Sequence, residues 1–171
     1  KFIIIKALNE VGTTNSETLI RAIDFAIENK ANIINLSLGS ENINDNVTTA
    51  IMRAVNNNIV VTSAVGDQGK NSILFPALLD NTLSVAAIDC NGLLYNKSNF
   101  NESVDVLAPG VDVRIIKYNN FKERIETKKS GSSIATAVFS GILALYLDSL
   151  NEYDVIDVYT KFRKIGSIDL L

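Results

Sequence analysis

Near-continuous apolar runs alternate with segments of helical period from residue 2 to residue 64, and this alternation constrains the fold most. Phe2–Leu8, bounded by Asn9 and Gly12, reads as a buried strand. Ser16–Asn29 reads as a helix that Ser16 can cap, with Leu19, Ile20, Ile23, Ala26 and Ile27 on one face. Ile33–Leu38, ended by Gly39, is a second strand. Asn46–Val55 is a second helix with Val47, Ala50, Ile51 and Ala54 turned inward. Ile59–Ala64 and Leu83–Ile88 follow as strands, the latter before a turn at Asp89–Gly92. Strand–helix–strand repeats of this kind predict right-handed crossovers and a parallel sheet. Strands apolar along their whole length predict helices on both sheet faces. The expected fold class is therefore α/β, a mostly parallel sheet flanked by helices.

The last third differs. Val104–Leu107 and Val113–Ile116 read as short strands around Pro109-Gly110, and Arg124–Thr127 as another. Ser133–Leu150 is a long, mostly apolar helix, expected at the centre of the molecule. Tyr153–Arg163 is a final amphipathic helix. The Lys122–Lys129 segment mixes signs and reads as a solvated edge. No repeat or linker-like boundary divides the 171 residues, which suit one domain.

Composition excludes several functions. There are no histidines, hence no imidazole base and no His-ligated metal in this chain. The single cysteine, Cys90, excludes an intramolecular disulfide and a thiolate zinc site. Lys and Arg number 16 against 19 Asp and Glu, a net charge of −3, which argues against a nucleic-acid partner. The most apolar run, Ile134–Leu147, is broken by Thr136, Ser140 and Gly141 and falls short of the ~20 apolar residues a membrane span needs. Lys1 leads straight into Phe2-Ile3-Ile4-Ile5, with no signal peptide and no initiator Met, so the chain reads as a processed product or a piece of something longer.

In an open parallel sheet, ligands bind at the carboxyl ends of the strands. Three loops there concentrate small residues: Ser37-Leu38-Gly39-Ser40, Ala64-Val65-Gly66-Asp67-Gln68-Gly69 and Gly131-Ser132-Ser133. The third places serine at the first turn of an apolar helix, where unpaired N–H groups and the helix dipole favour a developing oxyanion. A serine there is a nucleophile, or Ser132 or Ser133 simply caps an N–H. The loop alone leaves both open.

Taken together, the segments resemble the subtilisin-like serine proteases, the subtilases. Asn32-Ile33-Ile34-Asn35-Leu36-Ser37-Leu38-Gly39 is similar to their VINMSLG strand, and Val60–Gly69 to VVAAAGNEG. Phe75-Pro76-Ala77 is similar to YPA, and Val104–Gly110 to DVLAPG. Gly131–Gly141 is similar to GTSMATPHVAG, and Gly166-Ser167-Ile168-Asp169-Leu170 to GLIDL. Order and spacing agree over nearly the whole chain. The resemblance implies a subtilisin-like fold lacking the N-terminal part of the domain, so that residues 1–171 form one partial catalytic domain. It implies Ser133 as nucleophile and Asp67 as the side-chain group of the oxyanion hole. Ser37, Leu38 and Gly39 would pair with substrate backbone, and Ala64, Val65 and Gly66 would wall the S1 pocket.

Three departures qualify this. The family order is Asp, His, Ser, so the first two would precede Phe2. Without a base a serine hydroxyl is a weak nucleophile, and in subtilisin its loss costs about 10⁶-fold in turnover. Asp67 replaces the usual Asn, whose removal in subtilisin costs roughly 10²–10³-fold. Ala137-Val138 replaces Pro-His. No Asp-rich loop stands in for the family's calcium sites, so no metal and no cofactor is expected. Val65, in place of Ala, is expected to narrow the S1 pocket. The expected function is a serine endopeptidase whose Asp and His come from a missing or separate segment, acting on peptides or proteins. The alternative is an inactive subtilase-like pseudoprotease that binds peptides or regulates a partner; a third reading is a globular module whose grooves do nothing. The chain alone is expected to be inactive. By resemblance it is secreted or at a bacterial cell surface.

Overall fold

The structure is a computed structural model that describes residues 1–118 and 122–166. Ten elements follow in order: α1 (Ser16–Glu28), β1 (Ile33–Leu36), α2 (Asp45–Asn56), β2 (Val60–Ala64), β3 (Leu83–Ile88), β4 (Val106–Pro109), β5 (Val113–Tyr118), β6 (Arg124–Lys129), α3 (Ser132–Asp148) and α4 (Val155–Gly166).

The strands β1-β2-β3-β4 form one sheet in that order, every pair parallel. All five residues of β2 are buried. The helix α2 packs on β2 through Val47, Ala50, Ile51, Ala54 and Val55, and α1 packs on α2. The helix α3 lies across all four strands. Thus the expected α/β architecture is present, a parallel sheet flanked by helices. The strands β5 and β6 pair only with each other, as an antiparallel hairpin that leaves the sheet just before α3.

Both early helices start on asparagine. The Asn15 side chain accepts from Thr18 N–H, and Asn44 accepts from Asn46 and Val47 N–H. Ser16, expected as a cap, is instead the first helical residue, because Asn15 already satisfies an open N–H. Most other boundaries fall within one or two residues of the sequence reading.

Two expectations fail. Phe2–Leu8 forms no strand, and Phe2 and Ile4 are 93% and 92% exposed. A strand requires a ladder partner, and β1, the edge of the sheet, pairs only with β2. The helix α3 is not central. Leu143 and Leu147 are buried against the sheet, but Ile142 and Leu145 are exposed on its other side. The closing motif lies outside the described residues beyond Gly166.

The C-terminal helix is locked on by polar contacts. Arg163 Nε donates to Asp105 Oδ1 at 3.0 Å, and its guanidinium also bonds the Asp80 and Thr82 carbonyls. The other Asp105 oxygen accepts from Ser84 N–H and Oγ, both at 2.8 Å.

Candidate active site

Parallel pairing of β1 with β2 ends at Leu36 and Ser63. One step further, the register sets Ser37–Gly39 alongside Ala64–Gly66. The strands part there, and residues 74–75 enter the gap. Leu74 N–H donates to Val65 O at 3.0 Å, while Ser40 and Phe75 exchange N–H···O bonds of 2.8 and 2.9 Å. Phe75 is buried in the core and anchors this insertion.

The helix α3 starts beside the same gap. Gly131 precedes it with φ +149°, and no side chain from its own loop caps it. Its open N–H is met from another element: Ser132 N–H donates to Asp67 Oδ1 at 2.7 Å. A carboxylate at a helix N-terminus is favoured by both the hydrogen bond and the dipole. A Cβ on Gly131 would come within 2.8 Å of Asp67 Oδ2, and its φ of +149° is one that side chains rarely adopt, so glycine suits this position. Neither serine caps the helix. Ser132 Oγ, fully buried, accepts from Gly66 N–H at 3.2 Å. Ser133 Oγ, half-buried, donates to Ser37 O at 3.2 Å, and Ser37 Oγ donates back to Ser133 O at 2.8 Å.

All the residues singled out by sequence are therefore brought together. Their exposures differ. Asp67 is exposed, Ser37, Leu38 and Gly66 are half-buried, and Ala64 and Val65 are buried. Val65 is 0% exposed, so its side chain presents no surface to a ligand and does not narrow an open pocket.

Two residues here had no sequence signal. Asn99 is fully buried in a loop before β4. Its Oδ1 accepts from Gln68 and Lys70 N–H at 3.0 and 3.1 Å, and its Nδ2 donates to Val65 O and Gln68 Oε1 at 3.2 and 2.7 Å. Its backbone N–H donates to Gly66 O at 2.8 Å. Asn99 thus grips both flanks of Asp67. Leu74 is the second. A Ser98-Asn99 pair or a lone Leu in a polar loop is unremarkable in a linear reading; only the fold brings them to the site.

At the rim, Lys70 Nζ bonds Glu41 Oε1 at 2.9 Å. That hydrogen bond, and then the ammonium charge, hold the Glu41 carboxyl below its ordinary value. Both side chains are exposed, so the pair adds little stability. Among the described residues no group of three His, Cys, Asp or Glu could hold a metal ion. The acceptor of the Ser133 hydroxyl is a carbonyl, which cannot take its proton. Chemically, the arrangement offers a hydroxyl at a helix N-terminus beside the loops that end β1 and β2.

A family model described as the subtilase family, Peptidase_S8, matches residues 1–161. The chain is 31% identical to subtilisin DY of Bacillus licheniformis over 84% of its own length and 52% of that protein. It is 31% identical to a thermostable alkaline protease of Halalkalibacterium halodurans, over 82% of the chain and 38% of the relative. An intracellular serine protease of Paenibacillus polymyxa is 34% identical, over 84% and 44%. The solved prenylagaramide maturation protease PagA superposes with a TM-score of 0.71 at 33% identity, over 82% of this chain and 52% of that one. A cold-adapted subtilisin-like serine proteinase superposes at 0.79 with 21% identity, over 91% and 56%, a likeness of fold alone. The chain spans about half or less of the length of these curated relatives.

Proposed function

The chain belongs to the subtilase family, and from that premise we propose that it carries the nucleophile of a subtilisin-type serine endopeptidase whose triad Asp and His lie on a missing or separate segment. Residues 1–171 are then one partial catalytic domain. The observation that carries this reading is the placement of Ser133. Its hydroxyl sits at the N-terminus of α3, tied to Ser37 of the substrate strand, with Asp67 on the same helix end.

In this reading an extended peptide or protein substrate lies along Ser37–Gly39. Ser133 Oγ attacks the carbonyl carbon of the scissile bond, giving its proton to the imidazole of the complementing segment. The negative oxygen forms beside the Ser133 backbone N–H, where the helix dipole is positive. The leaving amine takes the proton, and water then hydrolyses the acyl-enzyme. What supports a separate segment is surface. Among the described residues the outer edge of β1 is unpaired, Phe2 and Ile4 are exposed, and Leu145 of α3 is 74% exposed.

A second reading has its own support: the Ser133 proton points at a carbonyl and the Asp67 carboxylate accepts rather than donates. Those features suit a pseudoprotease that binds peptides without cutting them or regulates a partner. A secreted or surface location belongs to the first reading and is supported by the subtilisin-type relatives, whereas one relative, from P. polymyxa, is named an intracellular serine protease. No helix among the described residues is long and apolar enough to cross a membrane.

Co-expression with a subtilase N-terminal segment bearing Asp and His tests this. Peptide cleavage that requires both pieces and vanishes in Ser133→Ala is the expected result. A folded two-piece complex that binds peptide and never cleaves it would overturn the peptidase reading in favour of the second.

A further inference from the structure

We propose that Leu74 fills the space between Gly39 and Gly66 and so restricts the residue of a bound peptide that faces this gap to glycine or alanine. The inference rests on the reading of this cleft as a peptide-binding site.

The geometry comes from two glycines on opposite walls. Gly39 follows β1 and Gly66 follows β2. A Cβ built on Gly39 would lie 3.0 Å from both Cβ and Cδ1 of Leu74. A Cβ built on Gly66 would lie 2.8 Å from the same Cδ1. One methyl group therefore touches both walls, and the isobutyl side chain occupies the gap. Leu74 is half-buried and lies outside the core cluster, so in this reading it is the floor of the peptide cleft.

The plug is fixed. The Leu74 N–H is bonded to Val65 O, and its neighbour Phe75 is bonded twice to Ser40 and buried. The backbone cannot swing out without breaking three hydrogen bonds and exposing the Phe75 ring. Both walls are also fixed. The Gly66 carbonyl accepts from Asn99 N–H, and Gly66 adopts φ +106°, open to glycine alone at little cost.

A glycine or alanine presented by the substrate adds at most one carbon above this floor. Leucine or phenylalanine would need the volume that Leu74 already fills, and close-packed interiors do not yield it freely. A single methylene too many in such a pocket already discriminates by about 10-fold or more.

The test is a positional scan. Dye-labelled extended peptides of Gly and Ala, with Phe placed at one position at a time, are titrated against the full chain and read by fluorescence polarisation. In the wild type one position should reject Phe by at least 10-fold, and Leu74→Ala should abolish that rejection. Leu74→Val, with one carbon less, should relax it partly and guards against misfolding of the alanine variant. If no position rejects Phe, or if the rejection persists in a folded Leu74→Ala or Leu74→Val, the proposal falls while the peptide-cleft reading stands. If no peptide binds either form, with folding verified by circular dichroism, the cleft reading fails and takes the proposal with it.

Discussion

Ser37 and Ser133 exchange two hydrogen bonds: Ser37 Oγ to Ser133 O at 2.8 Å, and Ser133 Oγ to Ser37 O at 3.2 Å. The extension of β1 and the start of α3 are thereby one unit. The same pairing parks the Ser133 proton on an oxygen that cannot accept it. Attack on a carbonyl requires that proton to move to a base, and this chain has no histidine.

The 171-residue chain alone should therefore show no peptidase turnover above the level of its Ser133→Ala variant. A fluorogenic peptide assay checks this. Turnover by the wild-type chain that disappears in Ser133→Ala would mean that a base other than imidazole serves Ser133.

Asn99→Ala should unfold more easily by roughly 2–3 kcal/mol. Four partners lose their side-chain bonds: the Gln68 and Lys70 N–H groups, Val65 O and Gln68 Oε1. Each buried group left unpaired costs about 1–3 kcal/mol, partly recovered where water enters. Urea denaturation gives the loss, and hydrogen exchange locates it. Protection should fall first at the Gln68 and Lys70 amides; a uniform loss across the sheet would contradict a local clamp.

Much of this was legible in the sequence, for identifiable reasons. The strands β1, β2 and β3 announce themselves as apolar runs because both faces of a helix-covered sheet are dry. Ser133 and Asp67 stand in segments whose order and spacing carry the family likeness. Phe2–Leu8 has the composition of a strand without being one, because a strand is a relation between segments and no partner lies beside it among the described residues. The apolar composition of α3 points to the centre for the same reason: composition records that a face wants covering, not that something covers it, and Ile142 and Leu145 are exposed. Asn99 acts on Gln68, 31 positions away, and Leu74 meets Gly39 from a separate loop beyond β2. No local period or motif encodes such a meeting.

Tyr159 should give the chain an alkaline limit. Burial, the largest influence, pushes its phenol from 10 up to about 12, against the lowering effect of the Val61 N–H bond and the Arg163 charge. The folded state therefore keeps its proton to higher pH than the unfolded state. The stability this group contributes is complete below about pH 10 and falls as pH rises towards about 12. The loss approaches about 2 kcal/mol across that window. Tyr159→Phe removes this slope. It also leaves Val61 N–H and Asn81 O without the hydroxyl, so it should cost about 1–3 kcal/mol at neutral pH. Thermal melts of both forms at pH 7 and pH 11 check both signs, and equal slopes in the two proteins would acquit Tyr159.

Asp67 should trade stability against rate. Its Oδ1 accepts from Ser132 N–H at 2.7 Å, and its charge faces the positive end of α3. Asp67→Ala removes the only side chain among the described residues that holds this N–H, and should cost about 1 kcal/mol. Asp67→Asn keeps an acceptor oxygen but loses the charge, costing about 0.3–1 kcal/mol. The chemistry pulls the other way. In an assembled, active enzyme the oxyanion develops at this same helix end. An ionised carboxylate opposes that charge, whereas the amide of asparagine can turn an N–H towards it. Asp67→Asn should then raise turnover by about 10-fold or more while slightly lowering the melting temperature. These opposite signs separate a role at the reacting oxygen from a purely structural cap, which would lower or leave both. Unchanged turnover in Asp67→Asn would mean that the side chain stays on Ser132 N–H throughout the reaction and never faces the oxyanion.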